Sequence, residues 1–273
     1  MSLATATTPF SVRLPDGRQI GAIETGTGLP LLLMHGIGSN GRSWQPVLPL
    51  LASRFRVIAW DMPGYGGSDP LPEQEPGPAA YGAACAAFLD ALGIECAAFL
   101  GHSLGALIVA EFAAARPRAV ASLILTAPAL GNACPPGAPW PDSVRARTVE
   151  LEALGAAAFA RVRAPRLCAE GASRSAIEAV EEAMAAVRLP GYAQACALLA
   201  QGDLLTRVKA LDRPGLVIGG GGDRVVPAER ARALAAAWPK ARYIELAGAG
   251  HAPYVENPEA YAAAVLSYLS EVL

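Results

Sequence analysis

The sequence predicts an α/β fold: a mostly parallel sheet of eight strands flanked by helices, with a helical cap inserted after the sixth strand. Three observations lead there. Short apolar runs such as 31–34 (LLLM), 97–100 (AAFL) and 215–219 (GLVIG) have the length and character of strands buried on both faces. Helix-length Ala-rich segments alternate with these runs at both ends of the chain. Between 127 and about 205 the alternation stops, and only helical patterns remain.

The elements follow in order. Residues 10–14 and 19–24 alternate in polarity around Pro15-Asp16-Gly17, which reads as a β-hairpin. The run 31–34 is the third strand and ends at His35-Gly36-Ile37-Gly38. Residues 43–52 place Trp44, Val47 and Leu51 on one helical face, and 56–60 is the fourth strand. A loop rich in Gly and Pro, 61–69, leads to a helix over 79–92 that stops at Gly93. The fifth strand, 97–100, is followed by a helix ending at Arg116-Pro117, and 121–126 is the sixth strand. Five prolines between 128 and 141 mark a linker, and helical patterns cover 142–162, 173–188 and 191–201. Strands at 215–219 and 242–246 enclose a helix at 228–237, and a last helix starts near Pro258. The expected units are therefore a core in two parts, 1–127 and 206–273, and a cap over 128–205.

Composition excludes several classes of function. Twenty-two Lys and Arg against 24 Asp and Glu give a formal net charge of −2 with no long charge block, so nothing recommends a nucleic-acid partner. The five cysteines (85, 96, 134, 168, 196) are scattered, with no C-x-x-C pair. A disulfide framework or a metal site is therefore not expected, and a reducing cytoplasm is the simplest setting. Residues 1–10 carry neither a basic nor an apolar leader segment, and no uninterrupted apolar run reaches the roughly 18 residues that suggest a membrane span. The expectation is a cytoplasmic protein, a monomer or homodimer, acting on a small molecule without a cofactor.

The chemistry centres on Gly101-His102-Ser103-Leu104-Gly105, placed between a strand and a helix. A serine at the apex of such a turn is held in a strained conformation with its hydroxyl exposed, and the flanking glycines allow strand and helix to approach closely. Helix capping is the alternative role for Ser103. A nucleophilic serine needs a base, and the chain has three histidines. His102 adjoins Ser103 and points elsewhere, as neighbours in a turn do. His35 ends a strand where its backbone is expected to matter more than its ring. His251 lies in a loop after the last strand, free to reach over another strand end, and is assigned the base.

Asp223, in Gly219-Gly-Gly-Gly-Asp223, follows the neighbouring strand and is assigned the acid that orients His251. Its alternative role, capping the helix from 228, fits less well because Pro227 is the better start signal. The loop after the sixth strand, 127–132, offers no carboxylate. Donors for a developing oxyanion are expected from the N–H groups of Leu104 and Ile37. The Gly-rich loops at 36–38 and 219–222 match neither nucleotide fingerprint. Trp140, Met62 and Tyr254 are candidates for lining the substrate pocket, with core packing an equally good account. The cap also contributes several arginines, which suit a carboxylate-bearing substrate if any faces the pocket, although solvated helix faces account for most.

Taken together, Met34-His35-Gly36, the 61–68 loop (DMPGYGGS), Gly101-His-Ser103-Leu-Gly105, Gly222-Asp223 and Gly250-His251 make the chain resemble the α/β-hydrolase superfamily from about residue 10 to the C-terminus. The closest look is to bacterial enol-lactonases and small carboxylesterases. The resemblance implies the α/β-hydrolase fold, a Ser103–His251–Asp223 triad, and hydrolysis of an ester or lactone through an acyl-enzyme. Serine at the elbow argues against the dehalogenases and epoxide hydrolases of the superfamily, which carry Asp there. His102 before the serine and Pro253-Tyr254 after His251 depart from the C–C hydrolases of aromatic ring-fission products, the runner-up. A cofactor-free perhydrolase activity and a non-catalytic binding protein on the same fold are further alternatives. The second is disfavoured because no triad member is missing.

Overall fold

Eight strands form one sheet in the order β1-β2-β4-β3-β5-β6-β7-β8. They are β1 (Thr8–Arg13), β2 (Gln19–Thr25), β3 (Pro30–Met34), β4 (Arg56–Trp60), β5 (Ala97–His102), β6 (Val120–Thr126), β7 (Gly215–Gly220) and β8 (Ala241–Leu246). The coordinates are a computed structural model, which describes residues 7–273. The first six residues, part of the 1–10 segment in which no leader was expected, lie outside the described residues. β2 is antiparallel to both β1 and β4, and β3 to β8 run parallel. The mostly parallel α/β architecture expected from the alternation is present.

The apolar runs serve both faces of the sheet because successive strand residues point opposite ways. Leu32 and Met34 of β3 join Phe99 of β5 in one buried cluster, together with α2 (Pro78–Ala91), α3 (Gly105–Ala115) and α8 (Ala228–Ala237). Leu31, Leu33, Ala98 and Leu100 join the opposite cluster with α10 (Pro258–Val272). Strands that pack helices on both sides carry no polar face, which is why 31–34 and 97–100 read as unbroken apolar runs.

Three elements differ from expectation. The single helix over 43–52 is instead a 3₁₀ turn at Gly41–Trp44 followed by the short α1 (Leu48–Leu51). Pro46 and Pro49 supply no N–H for a continuous helical ladder, so the segment breaks where they fall. The first helix of the expected cap, α4 (Asp142–Leu167), runs five residues further than expected and is broken at Gly155, whose φ of 71° and ψ of 158° are not helical. An additional helix, α7 (Leu204–Lys209), packs on α3 and α8 and straddles the expected boundary at 205.

Between β6 and β7 the chain also forms α5 (Arg174–Ala185) and α6 (Leu189–Gln201). This block meets the loops that follow β4 and β8, through Gly191 against Gly64 and the Leu167 carbonyl against the His251 N–H. Gly64 of the loop after β4 meets Gly191 of α6 so closely that a Cβ on Gly191 would lie 2.2 Å from the Gly64 carbonyl oxygen. Gln194 of α6 seals the same junction. Its amide donates to the carbonyls of Leu71 and Glu73, both at 2.7 Å, and its oxygen accepts from the Leu71 N–H. No helix among the described residues is long and apolar enough to cross a membrane.

Candidate active site

The chain order of β3, β4 and β5 reverses direction across the sheet, so β3 and β5 are neighbours with their carboxyl ends at the switch point, where ligands bind in open α/β sheets. Ser103 stands at the end of β5. Its φ of 51° is in the left-handed region, an uncommon place for a non-glycine residue. Backbone bonds hold it there: its N–H donates to the Thr126 carbonyl at 2.9 Å, and its carbonyl accepts from the Ala106 and Ala129 N–H groups. The flanking glycines are required by close approach. A Cβ on Gly105 would lie 2.3 Å from the Met34 carbonyl oxygen, and one on Gly101 would lie 2.7 Å from the Gly105 carbonyl oxygen.

The loops after β7 and β8 bring Asp223 and His251 to this serine. His251 Nε2 lies 3.0 Å from Ser103 Oγ, and His251 Nδ1 lies 2.8 Å from Asp223 Oδ2. The carboxylate fixes the tautomer, since Nδ1 must carry the hydrogen and leave the Nε2 lone pair facing Oγ. Asp223 is itself anchored, because Oδ1 accepts from the N–H groups of Val225 at 2.7 Å and Val226 at 2.9 Å. Ser103, His251 and Asp223 are only 7%, 4% and 6% exposed, so the relay is screened from bulk water.

Ile37 and Leu104 both line the cavity above Ser103, and neither N–H is donated to another group among the described residues. Leu104 immediately precedes α3, where helix N–H groups are unpaired. The peptide carrying the Ile37 N–H is fixed by the ring of His35, a residue whose backbone was expected to matter more than its ring. His35 Nδ1 donates to Gly36 O, the carbonyl of that same peptide, at 2.8 Å, while His35 Nε2 accepts from the Met62 N–H at 3.0 Å. These two partners require the neutral ring, and complete burial lowers its pKa in the same sense, against the smaller opposing effects of Gly36 and Asp61.

A cavity of about 330 Å³ opens over the serine. Of the three pocket candidates, Tyr254 lines it, as do Ser39 and Ser43. Met62 and Trp140 do not. The Met62 side chain is fully buried in the core on the β3 side, and only its backbone N–H serves the site. Trp140 packs against the same core from the linker before α4. Neither the turn after β4 nor the linker has a local pattern that separates core-facing from pocket-facing side chains.

One further residue escaped the sequence reading, and another, His102, was set aside there as a base. Glu256, on α9 (Pro253–Glu256), gathers the His251 loop: its carboxylate accepts from the N–H groups of Gly250 at 3.0 Å, Ala252 at 3.3 Å and Ala169, just after α4, at 2.8 Å. A Glu five residues past a catalytic-type histidine was the available signal. His102 Nε2 donates to the His251 carbonyl at 2.7 Å, and the His251 N–H donates to Leu167 O at the end of α4 at 2.8 Å. His102 is thus a brace on the residue assigned as base. Burial, reinforced by the neighbouring His251, holds its pKa well below the usual value.

Comparisons with known proteins agree with this fold. A family described by the alpha/beta hydrolase fold matches residues 30–258. Over 244 residues the chain is 30% identical to a pimeloyl-[acyl-carrier protein] methyl ester esterase of Aeromonas hydrophila subsp. hydrophila, covering 86% of this chain and 93% of that one. It is also 31% identical over 279 residues to the polyketide synthase ThaQ of Burkholderia thailandensis, covering 98% of this chain but only 13% of that much longer protein. Among solved structures, a malate-bound thermophilic esterase from Thermogutta terrifontis is similar at a TM-score of 0.86 and 26% identity, covering 97% of this chain and 99% of that one. By the match over most of its length and by its sheet topology, the chain belongs to the alpha/beta hydrolase fold family.

Proposed function

We propose that this protein hydrolyses a carboxylic ester or lactone through an acyl-enzyme on Ser103. The observation that carries the reading is the buried relay of Ser103 Oγ, His251 Nε2 and Nδ1, and Asp223 Oδ2, at 3.0 and 2.8 Å beneath a cavity. Esterase relatives at 30% and 26% identity support it.

In this reading Oγ attacks the carbonyl carbon while its proton passes to the Nε2 lone pair. The carbonyl π electrons move onto oxygen, where the N–H groups of Ile37 and Leu104 receive the charge. One such donor is worth on the order of 10² to 10³ in rate. The His251 imidazolium then gives its proton to the departing alkoxide as the C–O bond breaks, leaving the acyl group on Oγ. Water repeats the sequence: it loses a proton to Nε2, attacks the acyl carbon, and releases the acid as the proton returns to Ser103. Asp223 stays ionised throughout and stabilises the imidazolium. All three residues come from one chain, so a monomer suffices and a homodimer is compatible. Five unpaired thiols fit a reducing cytoplasm.

The test is Ser103→Ala. The variant should keep the parent's circular dichroism and melting temperature, lose 4-nitrophenyl ester turnover by about 10⁴ or more, and no longer be labelled by a fluorophosphonate. Undiminished turnover would remove Ser103 from the chemistry.

A further inference from the structure

The relay and the two N–H donors account for the floor of the cavity and leave its charged wall unexplained. Four arginines line this cavity, Arg147, Arg163, Arg166 and Arg230, and no Asp or Glu does. That gathering runs against the chain as a whole, whose formal net charge is −2. Only part of the charge is answered within the protein. Arg163 pairs with Glu150 and lies over the Phe159 ring at 4.8 Å. Arg147, half-buried, lines the cavity together with Tyr192. Burial raises the pKa of that phenol and the Arg147 guanidinium partly offsets the rise. Arg166 and Arg230 are exposed, and neither has an ion-pair partner among the described residues. Guanidinium groups gathered around one concavity repel each other, and apolar walls focus their field into it. Leu130, Val144, Met184 and Leu199 supply such walls here.

We propose that the substrate is an ester or lactone bearing a free carboxylate several atoms from the scissile carbonyl. This inference rests on the ester-hydrolase reading above. With the carbonyl at Ser103, a short polymethylene chain lies along the apolar walls and the carboxylate meets the half-buried Arg147, supported by Arg163. The exposed Arg166 and Arg230 draw the anion toward the opening. A planar guanidinium suits this task because it offers a carboxylate two parallel N–H donors. A cavity of about 330 Å³ is near the lower end for small-molecule sites (roughly 300 Å³ upward), which favours a compact substrate.

The experiment compares kcat/KM for mono-4-nitrophenyl adipate and 4-nitrophenyl hexanoate, which differ at the far end of the acyl chain. A second arm uses the hexanoate ester of 4-hydroxybenzoate against phenyl hexanoate, which moves the carboxylate to the leaving group. In at least one arm the anionic ester should be preferred by about tenfold, mainly through KM, and high salt should narrow the gap. Arg147→Gln should shrink that preference by about fivefold. Arg145→Gln, on the same helix, paired with Asp142 and outside the cavity lining, should leave it unchanged. Turnover of all four esters with no preference for charge, or a preference unmoved by Arg147→Gln, overturns the proposal alone. No turnover of any ester, with no fluorophosphonate labelling of Ser103, overturns the ester-hydrolase reading together with it.

Discussion

Replacing Asp223 by Asn separates proton transfer from folding more cleanly than any other single change at this site. The amide keeps the carboxylate's shape, and its oxygen can still accept from the Val225 and Val226 N–H groups that now bind Oδ1 at 2.7 and 2.9 Å. Its NH₂ then faces His251 Nδ1 across the 2.8 Å contact. Two N–H donors cannot share that line, so the imidazole hydrogen moves to Nε2 and points at Ser103 Oγ, 3.0 Å away. The lone pair that would take the serine proton is gone. The expected loss in kcat is about 10⁴, the size found for the same exchange in the Ser-His-Asp template. At about 1.36 kcal/mol per decade, that is roughly 5.5 kcal/mol of transition-state stabilisation. KM should change by no more than about threefold, because no cavity-lining group is altered. Stability should fall by only about 1–2 kcal/mol, the size of one weakened buried hydrogen bond. Steady-state hydrolysis of a 4-nitrophenyl ester and a urea titration, run on the same preparation, measure both. A variant that folds and retains kcat within about tenfold of the parent would mean that His251 is oriented by something other than Asp223.

Two further predictions concern the frame around the site. Gly105→Ala forces a Cβ to within 2.3 Å of the Met34 carbonyl oxygen on β3, and neither side can yield without separating α3 from the sheet. A destabilisation of about 3 kcal/mol by urea denaturation is expected, and a change below about 1 kcal/mol would refute the close-packing account. Burial, foremost, lowers the pKa values of His35 and His102. Below the ordinary histidine value of 6.5 the unfolded chain therefore binds protons that the folded chain does not. Stability is fully present above that value and is lost as pH falls, by up to about 1.4 kcal/mol per pH unit for each histidine until its folded pKa is reached. Urea midpoints should decline from pH 7 toward pH 5, and His102→Gln should roughly halve the slope; a flat profile in the parent would contradict neutral, buried rings.

The strands, the flanking helices and the elbow could be read from the sequence because each is a local pattern. A two-residue period, a 3.6-residue period and two glycines around a serine all act over a few neighbouring residues. Reading Ser103, Asp223 and His251 in that order along the chain also named three side chains that meet in the structure, with His251 within 3.0 Å of each of the other two. Tertiary structure decided what depends on groups distant in sequence. It made the His35 ring a clamp between Gly36 and Met62, and it set Glu256 to gather N–H groups from both the His251 loop and Ala169 after α4. It turned Met62 and Trp140 into the core and Tyr254 and four arginines toward the cavity. Which way a loop side chain points is set by what packs against it from across the fold, and no local period records that contact.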